Sequence, residues 1–322
     1  MSNHEIDTGK VSLLTVTADN DGQRVDNFLI SVLKGVPKTL VYRIIRKGEV
    51  RVNKGRVKAD TRLASGDVVR VPPLRIAERD ETPDVSPALQ EILQNAILHE
   101  DDGLLVVNKP HGLAVHGGSG VNLGLIEALR KMRPDHRFLE LVHRLDRDTS
   151  GVIMIAKKRS VLTALQRMLA NKSGISKKYL AMVHGHWPAS VTEVREPLLR
   201  FERQSGERMV MVSPEGKASL TKTTLKASGP HYSLIEAEPV TGRTHQIRVH
   251  CQFQGCSIAG DVKYCDRSQQ DIDKRQGVKR LFLHAWQLSF RHPDSGERLQ
   301  ISALPDDEFS SILKKVGCEF AL

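Results

Sequence analysis

The sequence predicts an α+β protein in two parts: a small unit of two helices and a hairpin at the N-terminus, then a larger mixed domain in which strands predominate. Three observations carry this reading. Apolar residues recur at helical spacing twice within residues 22–48 and are followed by short alternating segments. A proline-containing, acidic stretch then interrupts over residues 73–95. Beyond it the apolar runs are short, and that at 152–156 is unbroken, the pattern of a strand buried on both faces.

Taken in order, residues 1–21 read as a tail leading into a strand around 11–16. From Gly22 onward Val25, Phe28, Leu29, Val32 and Leu33 fall at i, i+3, i+4, i+7 and i+8, one face of a helix. Pro37 interrupts. A second helix follows, with Leu40, Val41, Ile44 and Ile45 on its apolar face, Lys38, Arg43, Arg46 and Lys47 on the other, and Gly48 as its stop. Residues 50–57 alternate around an Asn-containing turn and read as a hairpin carrying Arg51 and Lys54; Gly66-Asp67 introduces a closing strand at 68–71. The first unit therefore spans 22–72. Pro72, Pro73, Pro83 and Pro87 resist regular structure, which makes 73–95 a linker and 96–322 the main domain.

In the main domain, residues 104–107, 179–183 and 232–237 read as strands, and Leu162, Leu165, Met168 and Leu169 mark a helix over 161–169. Residues 246–253 stay ambiguous, because the apolar positions alternate yet Gly255 stands where a helix cap would.

The formal net charge of +10 points to a polyanionic partner, nucleic acid ahead of a membrane surface. No window approaches the roughly 20 apolar residues of a membrane span. Residues 1–10 lack the apolar core of a signal peptide, so a cytoplasmic location is expected. Four scattered cysteines make no disulfide framework. Cys251 and Cys256 near His245 and His250 invite a zinc reading, but no CxxC pair supports it; free thiols and no metal are expected. His116 heads the run Gly117-Gly118-Ser119-Gly120, which lacks the lysine and Ser/Thr that complete a nucleotide-binding P-loop.

The densest chemistry lies at 143–151, HRLDRDTSG, directly before the buried strand. Asp146 and Asp148 stand there among His143, Arg144 and Arg147. A charged loop delivered by a rigid strand is a common way to hold a reactive group, although a solvated turn carrying ion pairs is the ordinary alternative.

This string resembles the catalytic-loop motif of the RluA-type pseudouridine synthases. The resemblance extends through NKPHGLAVHGGSG (108–120), KKYLAMVHG (177–185), PVTGRTHQIRVH (239–250), and the weaker set Gly260-Asp261, Tyr264 and Leu283-His284-Ala285. In the first unit GQRVDNFL, RKGEVRVN and GDVVRV resemble an S4 RNA-binding domain. The resemblance implies a largely antiparallel catalytic sheet, a helix at 246–253, and isomerisation of uridines in large-subunit ribosomal RNA without a cofactor. Asp146 corresponds to the family's catalytic aspartate, Arg248 to the arginine that pairs with it, and Tyr179 to its active-site tyrosine. Arg144 would help extrude the target base. His116 would sit in a mobile loop facing RNA. Lys38, Arg43, Arg46, Lys47, Arg51 and Lys54 would contact phosphates, which position RNA without reading its sequence.

Asp148 has no chemical step in this scheme and is expected to hold the loop; His143, His245, His250 and His284 are expected to be structural hydrogen-bonders. No long apolar or heptad segment is left over, which favours a monomer. Two rivals remain at this stage. One is a non-catalytic RNA-binding or assembly factor on the same fold. The other is a hydrolase that uses Asp146 and Asp148 as a glycosidase uses its two carboxylates.

Overall fold

The computed structural model describes residues 10–33, 36–74, 83–118, 123–136 and 138–320. The chain divides into two compact units between residues 81 and 82.

The first unit contains β1 (Ser12–Thr15), α1 (Val25–Val32), α2 (Lys38–Arg46), β2 (Arg51–Val52), β3 (Gly55–Arg56) and β4 (Val68–Val71). Its sheet is antiparallel in the order β1-β4-β2-β3. The turn between β2 and β3 places Asn53 and Lys54 at positive φ, 46° and 69°, the pair of left-handed residues that a two-residue hairpin of matching twist requires. The predicted helical stripes form the core: Val25, Phe28, Leu29, Val41, Ile44 and Ile45 are buried against Val69 and Val71. Asp26 is buried with them and is held by Arg24 at 2.6 Å and the Tyr42 hydroxyl at 3.2 Å. Lys38, Arg43, Arg46, Lys47 and Lys54 are exposed and Arg51 is half-buried.

The second unit begins earlier than the linker reading allowed. Residues 75–82 of that segment lie outside the described residues. However, α3 (Pro87–Asn95) is a helix whose Leu93 is fully buried in the second unit's core. The Ser86 side chain accepts the Leu89 N–H at 3.3 Å and caps it. Pro87 sits in its first turn, where a missing N–H costs nothing. The proline read as a breaker is a helix starter.

There follow β5 (Ile97–Glu100), β6 (Leu104–Lys109), α4 (Leu125–Met132), β7 (Glu140–Leu141), β8 (Ser150–Ala156), α5 (Arg159–Asn171), β9 (Ile175–His184), β10 (Glu193–Val194), β11 (Leu198–Glu202), β12 (Arg208–Val212), β13 (Thr221–Ser228), β14 (Tyr232–Pro239), α6 (Gln246–Phe253), α7 (Arg267–Gln276), β15 (Leu283–Arg291), β16 (Arg298–Ser302) and α8 (Asp307–Lys315). A large sheet runs β10-β13-β14-β9-β15-β8-β6-β5, with β16 added beside β15 and β7 beside β8. The β15–β8 pair is parallel and the other pairs are antiparallel. The α+β expectation of a mixed, largely antiparallel sheet holds.

The central strands are buried on both faces. Leu105, Val107, Ile153 and Ile155 enter one core cluster, and Leu104, Val106, Val152 and Met154 enter another. That is the two-residue alternation of a strand covered on either side. β8, the strand predicted behind the charged loop, is buried at all seven residues. Residues 246–253 are helical, as the resemblance implied and the apolar spacing left open.

Candidate active site

The HRLDRDTSG loop is anchored at both ends by the sheet. At its C-terminal end Gly151 (φ +110°) pairs with Ala285 of the parallel neighbour β15, and a Cβ there would collide with the Ala285 carbonyl. Only glycine allows the two backbones to meet so closely. Ser150 Oγ bonds His284 Nδ1 at 2.9 Å and accepts from Arg280 Nη2 at 2.8 Å. At the other end His143 Nε2 accepts the Met154 N–H at 3.2 Å. Burial, with Lys177 nearby, pushes the pKa of His143 down to about 3, so this ring is a neutral acceptor.

Beneath the loop lies Lys109, fully buried at the end of β6. Its amine donates to the carbonyls of Pro110 (2.9 Å), Leu113 (2.8 Å) and Arg147 (3.0 Å). One side chain thus ties the NKPHGLAVH segment to the HRLDRDTSG loop and uses all three donors of an ammonium. Burial draws its pKa down to about 7, opposed by the charges of Asp148 and Asp146.

Asp146 lies in the floor of a cleft of about 730 Å³. Its Oδ2 is 3.2 Å from Arg248 Nη1 and 3.8 Å from His245 Nε2. Arg248 projects from α6 and is 7% exposed. Its Nε and Nη2 grip Asp261 at 2.6 and 2.7 Å in a two-pronged ion pair, and its guanidinium lies 5.0 Å from the centre of the Tyr264 ring. Burial works against the Arg248 charge, but the hydrogen bond to Asp261 and the charges of Asp261 and Asp146 outweigh it and raise its pKa. The guanidinium stays charged and is oriented from behind. Asp261 itself follows Gly260, at φ +75°, where a Cβ would collide with the Arg280 carbonyl.

α6 is entered through His245 at φ +52°, an uncommon conformation for a non-glycine residue. His245 Nδ1 lies 2.7 Å from the Tyr264 hydroxyl, which also accepts the Val210 N–H at 3.2 Å. The buried Gln246 ties the helix to the start of β13, donating to the Leu220 carbonyl (2.9 Å) and bonding Thr221 Oγ1 (3.0 Å). His250 bonds Thr221 at 2.8 Å and Ser219 at 3.0 Å. The four histidines expected to be structural are all so engaged, and the zinc reading of His245, His250, Cys251 and Cys256 finds no cluster among the described residues.

Tyr179 is opposite Ala285 on β15, which is itself opposite Gly151 on β8. This register brings the tyrosine, 8% exposed, to the same cleft as Asp146 and Arg248. Burial, and then the Asp146 charge, raises its pKa, which keeps it a neutral phenol. Arg144 is exposed and lines the cleft with Lys172, Lys177, Arg200, Lys222 and Arg243, against the carboxylates Asp146 and Glu238. Such a wall attracts a polyanion.

Other expected positions fall elsewhere. His116 is exposed, with Nδ1 2.9 Å from the Gly117 carbonyl, and is not among the residues lining the cleft. Ser119 and Gly120 of its loop lie outside the described residues. Asp148 pairs with its neighbour Arg147 at 3.1 Å on the surface. The six basic residues of the first unit belong to that unit. Sequence reasoning gave no role to Asp261 or Lys109, and none at the cleft to His245, although each lies inside a quoted motif. The Gly-Asp pair at 260–261 was the available signal for Asp261.

Comparison with known proteins agrees with this geometry. The family model for RNA pseudouridylate synthase matches residues 103–253, and that for the S4 domain matches residues 23–69. Ribosomal large subunit pseudouridine synthase C of Haemophilus influenzae is 52% identical over 319 residues, covering 98% of each chain. The protein of that name from Escherichia coli K12 is 53% identical over 314 residues, 96% of this chain and 98% of that one. Among solved structures, human RNA pseudouridylate synthase domain containing 4 superposes with a TM-score of 0.59 at 28% identity, covering 71% of this chain and 95% of its own. With the HRLDRDTSG, KKYLAMVHG and PVTGRTHQIRVH motifs meeting at one cleft and relatives of half identity over nearly the whole length, the chain belongs to the RNA pseudouridylate synthase family and is an RNA pseudouridine synthase carrying an S4 domain.

Proposed function

We propose that this enzyme isomerises specific uridines of large-subunit ribosomal RNA, with Asp146 as the catalytic carboxylate. The observation that carries the assignment is a half-exposed carboxylate held by an oriented arginine on the floor of a basic cleft. The substrate follows from the names of the full-length relatives, which are large-subunit enzymes.

In the reaction the N1–C1′ bond of uridine breaks, the uracil turns, and C5 bonds to C1′; the C5 hydrogen leaves as a proton and N1 takes one up, so the product is an isomer. No electrons enter or leave and no group is lost, so the steps need only a nucleophile or base and a site that holds the detached uracil. The Arg248 and His245 contacts of Asp146 both fall on Oδ2, and Oδ1 has no hydrogen bond among the described residues. Oδ1 is therefore the oxygen available for attack or proton transfer, while Arg248 keeps the carboxylate aimed. Because burial and the Asp146 charge hold Tyr179 in its phenol form, its ring is better suited to stack on uracil than to act as a base. Arg144 at the cleft wall would hold the phosphate of the flipped nucleotide. Lys38, Arg43, Arg46, Lys47, Arg51 and Lys54, together with His116, would supply sequence-independent contacts to the RNA backbone. The enzyme would act as a monomer in the cytoplasm, without a cofactor in the chemical step.

Release of tritium from ribosomal RNA labelled at uridine C5 tests this reading. Release by the wild type and none by Asp146→Ala is expected. Free uracil in the supernatant would instead identify a hydrolase, and RNA binding without release from either naked RNA or immature subunits would leave an assembly factor.

A further inference from the structure

Away from the cleft, three side chains of metal-ligating type from two parts of the sequence meet in the interior of the second unit. His184 ends β9, Asp273 lies in α7, and Cys265 stands just before α7. One donor atom from each lies within 4.8 Å of the other two. The residues are 4%, 4% and 8% exposed respectively. We propose that His184, Cys265 and Asp273 bind a divalent cation of the zinc type, which clips the 258–266 loop to the sheet.

The unexplained group is His184. Its side chain is buried, yet neither ring nitrogen has a hydrogen-bond partner among the described residues. Nε2 is 3.1 Å from Asp273 Oδ1, an ion-pair distance without hydrogen-bond geometry. Buried polar groups in native proteins nearly always have partners, so an imidazole without one requires an explanation. A proton on the ring would account for Nε2 alone; a cation also accounts for the thiol and carboxylate beside it.

The donor set is specific. Imidazole nitrogen, thiolate sulfur and one carboxylate oxygen suit Zn²⁺, whereas Mg²⁺ and Ca²⁺ prefer oxygen alone. With bonds of about 2.0–2.3 Å, tetrahedral ligands lie roughly 3.3–3.8 Å apart, so the cluster would contract by about an ångström at its widest. Thiolate and carboxylate together neutralise a doubly charged ion, as a dry interior requires.

The surrounding hydrogen bonds orient the ligands. Tyr232 donates its hydroxyl to Asp273 Oδ1 at 2.8 Å, and its ring stands 5.0 Å from that of His184. The Gly260 N–H donates to Asp273 Oδ2 at 2.8 Å. Carboxylates and imidazoles fixed in this way are typical of metal sites. On binding, the Cys265 S–H, which points at the Ile258 carbonyl at 3.1 Å, gives its proton to solvent and the sulfur takes the metal. No electron moves. The loop so fixed carries Asp261, the residue that orients Arg248, which makes the cation a positioning element for the active site.

The test uses the metal-free full-length chain titrated with Zn²⁺ against a chromophoric chelator, and with Co²⁺ read by absorption. One Zn²⁺ per chain is expected, with a thermal midpoint raised by several degrees at saturating metal. Co²⁺ should give the charge-transfer band of a single thiolate. Cys265→Ser and His184→Gln should each weaken Zn²⁺ binding at least a hundredfold and remove the thermal shift. No uptake by the wild type would overturn the site, as would uptake unchanged in both variants. A wild-type Co²⁺ spectrum without a thiolate band would do so even if the variants fold poorly. If the wild type takes up no metal and His184→Gln alone removes a pH-dependent step in stability, the cluster is a His184–Asp273 ion pair.

Discussion

Arg248 reaches Asp146 through Nη1 alone, at 3.2 Å, because its other two nitrogens are committed to Asp261. The arginine is set from behind and lends the carboxylate one hydrogen bond, so Asp146 is held without being capped on both oxygens. Losing the carboxylate should end the chemistry without loosening the grip on RNA. Asp146→Ala is expected to abolish tritium release while RNA affinity, measured by filter binding, stays within a few-fold. Turnover retained in the mutant would remove Asp146 from its role.

Asp261 should matter almost as much, although it makes no contact with the cleft floor itself. Asp261→Asn removes the charge that fixes Arg248 while preserving size. A displacement of about 1 Å in a catalytic group is worth on the order of a hundredfold in rate. A fall in kcat of that order with KM little changed is expected. Leaving the buried Arg248 short of its partner should also cost about 3–5 kcal/mol in urea unfolding. A variant with wild-type kcat would show that Arg248 is oriented without Asp261.

Lys109 joins two motif loops through three carbonyls. Lys109→Met keeps the volume and removes every donor, so those buried carbonyls lose their partners. A loss of roughly 3–5 kcal/mol of stability is expected, together with weaker activity because the Arg147 carbonyl is released. Unfolding midpoints within error of the wild type would show that water replaces the amine without penalty.

Acid should weaken the fold through His284. This ring bonds Ser150 and the Ala303 carbonyl, and burial lowers its pKa from 6.5 to about 4. As pH falls below 6.5 the unfolded chain takes up a proton that the folded chain refuses. Stability therefore declines between pH 6.5 and about 4 and levels below, by about 3 kcal/mol for this residue. His143, lowered to about 3, acts in the same direction. Melts at stepped pH should show a shallower slope for His284→Gln over that window; an unchanged slope would exonerate the residue.

The first unit makes a prediction about salt. Arg43, Arg46 and Lys47 are exposed along the end of α2. If each meets a phosphate, changing all three to glutamine should reduce the slope of log K against log salt by roughly 0.7–0.9 per lost contact. A slope unchanged from wild type would show that this surface does not grip RNA.

Local patterns made much of the fold legible. The helical stripes of α1 and α2, the Asn-containing hairpin and the unbroken apolar run of β8 were all readable, because each leaves its pattern in a short run of consecutive residues. The α3 helix was misread for the opposite reason. Ser86 and Pro87 are a cap and a first-turn residue, but Pro87 was grouped with the prolines of a linker. α6 could not be decided from its spacing, because most of its residues are buried and a helix buried nearly all round shows no clean stripe.

By itself the sequence determined the family and the S4 domain and singled out the HRLDRDTSG loop with its Asp146, since these rest on contiguous residues whose order survives in any fold. Only the tertiary structure decided what surrounds that aspartate. Pairing of β15 with β8 (parallel) and with β9 (antiparallel) brings Gly151, Ala285 and Tyr179 into register. The 258–266 loop returns Asp261 to Arg248, and β9 and α7 bring His184 and Asp273 together. These partners come from distant segments, and side chains far apart in the chain acquire distances and charges toward one another only when the sheet closes around them.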